Sequence, residues 1–223
     1  MKYERENDTY LGRYERKLLA WLCKILPSWV TSDMLTLFGI LGSALSFYGY
    51  LLSYHGAKWL WLSIAGIAIN WLGDSLDGSL ARHLKAERPK YGFFLDHMTD
   101  TLAIGLIIMG IGLSPYAHFT SSLLLLIAYY LLVILSMVTC ITSGVFRISF
   151  NGIGPTEIRI LAVACTLAVM TLPLPAIKWG ENTLTFYDTI MITLAILMLL
   201  TGGVQAIRTA RRLAIEDPPV RHK

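Results

Sequence analysis

The chain has 223 residues, of which 55% are apolar and 15% charged, against about 25% charged in an ordinary soluble domain. A net charge of +4, small and dispersed, excludes a nucleic-acid arm. The three cysteines, Cys23, Cys140 and Cys165, lie in apolar stretches with no pair at metal-ligand spacing, which excludes a disulfide framework and a zinc site.

The apolar residues cluster into long runs, so lipid is the expected solvent. In residues 1–33, Tyr14, Leu18, Trp21, Leu22, Ile25 and Leu26 recur at three and four residues, with Arg16, Lys17 and Lys24 on other faces. This predicts an amphipathic helix that lies in a membrane interface or covers a bundle from below. A secretory signal fits poorly, because no clean apolar core precedes a small-residue cleavage site. Thr31-Ser32-Asp33, with Thr36 following, reads as a helix N-cap. Six windows then meet or approach the roughly 20 apolar residues that cross hydrocarbon: 34–54, 57–80, 93–113, 121–142, 156–172 and 186–207, the fifth being the shortest. The expected fold is all-α, with a six-helix transmembrane domain over 34–208 and a tail, 209–223, disordered after Ala214. Asp188, at the start of the last window, reads as a cap favoured by the helix dipole.

Seventeen Lys and Arg fall in residues 1–33, 81–92, 143–159 and the segment from Arg208, against Lys58 and Lys178 on the other side. Positive charge collects in the cytoplasm, so both termini and the even-numbered loops are expected there. Within those loops Arg147 and Arg159 read either as a pocket for an acceptor phosphate or lipid headgroup, or as simple anchors.

Four acids, Asp74, Asp77, Asp96 and Asp100, lie within 27 positions at the cytoplasmic ends of the second and third windows. Charge in a spanning helix costs roughly 2.5 to 3.5 kcal/mol at the bilayer centre and less near the ends, so it is usually kept for a task. Spacings of three and four place each pair on one helix face. Four converging carboxylates without a nearby Cys form an all-oxygen site suited to Mg²⁺ or Mn²⁺. The competing arrangement is a set of salt bridges to Arg82, Lys85, Arg88 and Lys90, which leaves the spacing unexplained. Gly78, Ala81 and Gly92 lie four or seven residues from an acid, where small side chains admit either a ligand or a neighbouring helix. Arg82 beside them can pair with phosphate or anchor the helix end.

Written out, the stretch is Asp74-x2-Asp77-Gly78-x2-Ala81-Arg82-x9-Gly92-x3-Asp96-x3-Asp100. It resembles the motif of the CDP-alcohol phosphotransferases, integral membrane enzymes of phospholipid synthesis. The resemblance implies that the four aspartates hold two divalent ions, that Asp100 serves as general base, and that Gly78, Ala81, Arg82 and Gly92 line a cytidine pocket. It implies attack of an acceptor hydroxyl on the phosphorus distal to cytidine, with release of CMP. The donor is either CDP-diacylglycerol, paired with a small polar alcohol, or a CDP-aminoalcohol, paired with diacylglycerol. The aminoalcohol branch is similar in its Asp-His pair and later Pro-x-Glu, here Asp96-His97 and Pro155-Thr156-Glu157, which makes His97 with Glu157 a second candidate base. Pro155 and Glu157 are equally residues that start a helix. The family also implies a homodimer, and Gly105 and Gly110 would permit close helix contact. The alternative function is a divalent-cation channel or transporter, which would need polar residues through the bilayer depth, whereas the outer halves of the windows are almost wholly apolar.

Overall fold

The computed structural model describes residues 5–6, 12–143, 146–147, 155–172, 176–179 and 182–219. Those residues form α1 (Gly12–Ile25), α2 (Ser32–Leu52), α3 (Leu60–His83), α4 (Pro89–Gly112), α5 (Phe119–Ser143), α6 (Pro155–Thr171) and α7 (Phe186–Glu216). The fold is all-α apart from two small strand pairings, Arg5–Glu6 parallel to Phe146–Arg147 and Ile177–Trp179 antiparallel to Asn182–Leu184, which hydropathy did not foretell.

Among the described residues four stretches are long and apolar enough to cross a membrane: Ser32–His55, Pro89–Gly112, Phe119–Thr142 and Phe186–Glu216. The other two expected windows fall on α3 and α6. The second half of α3 carries Asn70, Asp74, Asp77 and Arg82, which dilute its hydropathy. The 17 residues of α6 span about 26 Å at 1.5 Å per residue, under the thickness of a hydrocarbon core.

The contact that organises the bundle is between α2 and α3, and it is made by backbone. Gly42 and Gly49 of α2 face Gly66 and Ser63 of α3, and a Cβ added at Gly66 would stand 2.6 Å from the Gly42 carbonyl oxygen. Ser46 and Ser63 stand in the same seam, fully buried, and small residues there let main chain approach main chain. Gly66→Val is therefore expected to destabilise by more than about 3 kcal/mol, because the obstacle is main chain and cannot turn aside. Thermal unfolding in detergent checks this, with Gly203→Val as control, since a Cβ there meets nothing within 4 Å. Equal stability of the two variants would refute the seam. Gly105 and Gly110 also pack inside the chain, against the Tyr130 hydroxyl and against Phe47 and Tyr50.

One buried cluster, around Tyr50, Ile67, Ile108 and Met191, fills the end of the bundle remote from the acids. There the Thr166 hydroxyl lies 2.7 Å from the Tyr50 hydroxyl and 2.8 Å from that of Tyr187, tying α2, α6 and α7 in one polar contact. Asp188 does more than cap α7. It closes a capping box with Thr185 and accepts hydrogen bonds from the His118 backbone N–H at 2.8 Å and ring Nδ1 at 2.6 Å. A second cluster, Leu19, Cys23, Leu35, Leu76 and Leu80, fixes α1 to α2 and α3 at the acid-bearing end. The expected apolar stripe of α1 thus divides: Leu22 and Leu26 pack against that cluster, while Leu18, Trp21 and Ile25 are exposed. At the other terminus α7 continues to Glu216, with Arg212 and Glu216 paired one turn apart at 3.4 Å. This corrects the expected loss of order at Ala214, since i,i+4 pairs extend a helix beyond its apolar run.

Candidate metal centre

A five-residue link, 84–88, joins α3 to α4, and Pro89 starts α4 at the position where a missing N–H costs nothing. This short return brings the two acid pairs face to face. One ligand oxygen from each of Asp74, Asp96 and Asp100 lies within 4.8 Å of the others. Asp77 stands across the cleft, its Oδ2 accepting from Thr36 Oγ1 at 2.6 Å and its Oδ1 accepting the Gly78 backbone N–H. Thr36, Gly39, Ile40, Asn70 and Thr99 complete the lining with Asp74, Asp77 and Asp100.

Into this cluster α6 inserts Arg159. The residue is 7% exposed, with Nη1 donating to Asp74 Oδ2 at 2.8 Å, Nη2 to Asp100 Oδ1 at 3.5 Å and Nε to Asn70 Oδ1 at 2.9 Å. Asn70 in turn donates to the Gly39 carbonyl of α2 at 3.1 Å. The side chain is thus buried among the acids and not at a surface. The planar guanidinium reaches three acceptors at once and relieves part of the repulsion between carboxylates held together. The Arg147 side chain lies outside the described residues. Two cations near the α3–α4 link turn to other partners: Arg88, in the link, pairs with Asp33 at the start of α2 and covers the Tyr91 ring at 4.1 Å, and Arg82, in the last turn of α3, donates to Ser79 Oγ at 3.2 Å. The Asp33 carboxylate strengthens the hold of Arg88 on its proton.

Chemically the donor set is all oxygen, and four carboxylates against one guanidinium leave an excess of negative charge. Those residues fit a hard divalent cation. Beside them, a Cβ at Gly92 would meet nothing within 4 Å, and at Gly78 only the Arg82 side chain, nearest at 3.4 Å. Gly78 therefore presents bare backbone beside Arg82, Gly92 on α4 presents it to open space, and Ala81 on α3 is half-buried. His97 stacks on Phe93, with centroids 4.2 Å apart, and its Nδ1 lies 2.8 Å from the Phe93 carbonyl and 3.5 Å from Asp96 Oδ2. With Nδ1 donating to that carbonyl, Nε2 is the basic nitrogen of the neutral ring. Glu157 lies in the first turn of α6, half-buried. Thr31 caps α2 as expected, accepting from the Met34 N–H at 3.3 Å.

Three contributors escaped sequence reasoning: Thr36 as a partner of Asp77, Asn70, and Arg159 as a member of the cluster. Asn70 left a signal, a lone amide one turn before Asp74 in an apolar run. Arg159 left none, because its distance in sequence from the acids says nothing about their meeting.

A protein-family model described as CDP-alcohol phosphatidyltransferase matches residues 29–210. Two crystal structures of Mycobacterium tuberculosis phosphatidylinositol phosphate synthase are similar in fold. The one with CDP-DAG bound has a TM-score of 0.57 and 21% identity, over 88% of this chain and 93% of that chain. The one in complex with manganese and citrate also has a TM-score of 0.57 and 21% identity, over 87% of this chain and 88% of that chain. A search of curated proteins finds no significant match.

Proposed function

The chain belongs to the CDP-alcohol phosphatidyltransferase family, and from that premise we propose which residues perform the transfer and on what donor. As a member it is a metal-dependent membrane transferase of phospholipid synthesis, moving a substituted phosphate from a CDP-linked donor to a hydroxyl with release of CMP. Our reading of the donor is CDP-diacylglycerol, supported by the CDP-DAG bound in the similar mycobacterial enzyme, and of the acceptor a small polar alcohol. The observation that carries the site assignment is the approach of Asp74, Asp96 and Asp100 oxygens to within 4.8 Å beside a cleft.

In this reading Asp74, Asp77, Asp96 and Asp100 would hold Mg²⁺ or Mn²⁺. When bound, such ions polarise the phosphoryl oxygens and stabilise the leaving CMP. Gly78 and Gly92 let the cytidine nucleotide approach the main chain, with Ala81 beside them, and Arg82 takes phosphate oxygens with its planar fork. Asp100 accepts the hydroxyl proton as the acceptor oxygen bonds to the distal phosphorus; the bond from that phosphorus to the bridging oxygen breaks, and CMP leaves with the electron pair. Arg159 orients Asp74 and Asp100 from within the cluster. His97, with Glu157, is the base of the aminoalcohol branch, the second arm of the test below.

The membrane arrangement we propose has six spans, α3 and α6 crossing within the bundle, with α1 in the interface. The distribution of 17 Lys and Arg against two supports a cytoplasmic acid-bearing end and cytoplasmic termini. The purified protein in detergent with Mn²⁺ is expected to release CMP from CDP-diacylglycerol plus one of a panel of polar alcohols, and not from CDP-choline or CDP-ethanolamine plus diacylglycerol. Release confined to the second arm would overturn the donor assignment. Silence in both arms, with aspartate-dependent cation flux into proteoliposomes, would replace catalysis with transport.

A further inference from the structure

Outside the metal centre one carboxylate is placed with unusual care. Glu15 is the only acid of α1, on a helix whose other charges are basic, and a single oxygen of it, Oε1, accepts three hydrogen bonds. The donors are Trp71 Nε1 at 3.0 Å and Ser75 Oγ at 3.0 Å, both from α3, and Thr156 Oγ1 at 3.1 Å from α6. An ionised acceptor makes each bond stronger than a neutral one, and the Trp71 indole gains the partner that a half-buried N–H requires.

The donors stand next to the site. Ser75 follows Asp74, Trp71 follows Asn70, and Thr156 precedes Arg159 by three residues, so it shares a helix face with it. Helices α3 and α6 are thus joined by two successive polar links. The inner one is Arg159 to Asn70 and Asp74, and the outer one is Thr156 through Glu15 to Trp71 and Ser75. Both links bear on how α6 sits against α3. A guanidinium reaches Asp74 at 2.8 Å only if α6 lies at one separation and rotation against α3, and its hydrogen bonds weaken steeply when either drifts. Apolar contacts between α1 and the bundle, through Leu19 and Cys23, hold α1 in place but specify no such register.

We propose that Glu15 is a positioning residue for the metal centre, a carboxylate wedge from α1 that sets α6 against α3 and thereby fixes Asp74 and Arg159. This rests on the assignment of the acids as a divalent-metal site, and the test separates the two. Mn²⁺ binding to the full chain in detergent is measured by electron paramagnetic resonance, with no nucleotide or acceptor present, for wild type, Glu15→Ala, Glu15→Gln and Thr156→Val. Glu15→Ala is expected to weaken Mn²⁺ binding about tenfold, the low end for groups that hold metal ligands. Glu15→Gln, whose amide oxygen still accepts, should return to within about threefold of wild type. Thr156→Val should lose several-fold, and in combination with Glu15→Ala should add nothing, because both remove one link. Wild-type Mn²⁺ affinity in Glu15→Ala with a lowered unfolding temperature would make Glu15 merely structural and overturn the proposal, as would equal losses in Glu15→Ala and Glu15→Gln. If Glu15→Ala does not fold, unchanged affinity in Thr156→Val overturns it instead. Absence of Mn²⁺ binding by the wild type would sink the metal site itself.

Discussion

Asp100→Asn is expected to lower CMP release by about 10³-fold or more, the combined loss of a base and of a charged metal ligand, while the protein remains folded. Asparagine keeps the shape of the side chain and an oxygen toward Arg159 Nη2, 3.5 Å away in the native protein, so the guanidinium is not stranded. What disappears is the negative charge and the capacity to take a proton. Initial rates at saturating Mn²⁺, beside helical content and elution volume, check it. A variant with near wild-type turnover would remove Asp100 from the chemistry, and one that fails to fold would make its role structural.

Arg159→Leu carries the largest expected loss of stability. Removing one partner of a buried ion pair costs about 3–5 kcal/mol, because the remaining charges keep their desolvation without their attraction. Here two carboxylates and the Asn70 amide oxygen lose a donor together. Thermal unfolding of the variant in detergent with EDTA should therefore fall well below wild type. Added Mn²⁺ should restore more stability to the variant than to wild type, since a cation can then supply what the guanidinium supplied. Lysine at this position keeps the charge but not the three-way reach, and is expected between the two. An Arg159→Leu protein as stable as wild type in EDTA would show that the pairing contributes nothing to the fold.

Much of the site is legible from spacing alone. Asp74 with Asp77 and Asp96 with Asp100 stand three and four apart, and helical geometry puts each pair on one face; the five-residue link 84–88 leaves the two faces little choice but to meet. The resemblance to the family, carried by those acids with Gly78, Ala81, Arg82 and Gly92, agrees with the family match over residues 29–210. The apolar windows also translate directly where a helix is apolar over most of its outer surface, as α5 is with Ile127, Leu131, Ile134 and Val138 exposed. The windows are less informative for α3, because a helix buried among others can exchange apolar residues for polar ones that find partners inside the bundle.

Sequence alone determined the class of protein, the acid motif and the expected hard-cation chemistry, because each follows from local periodicity or from spacing within one helix or across one short link. Only the tertiary structure decided that Arg159 belongs to the acid cluster, that Thr36 holds Asp77, and that Glu15 joins α1 to α3 and α6. These pairs are separated by 85, 41 and as many as 141 residues. No periodic pattern links positions so far apart. Their meeting depends on the backbone contact of α2 with α3 and on the docking of α6, and each hydrogen bond exists only after those packings have set the distance.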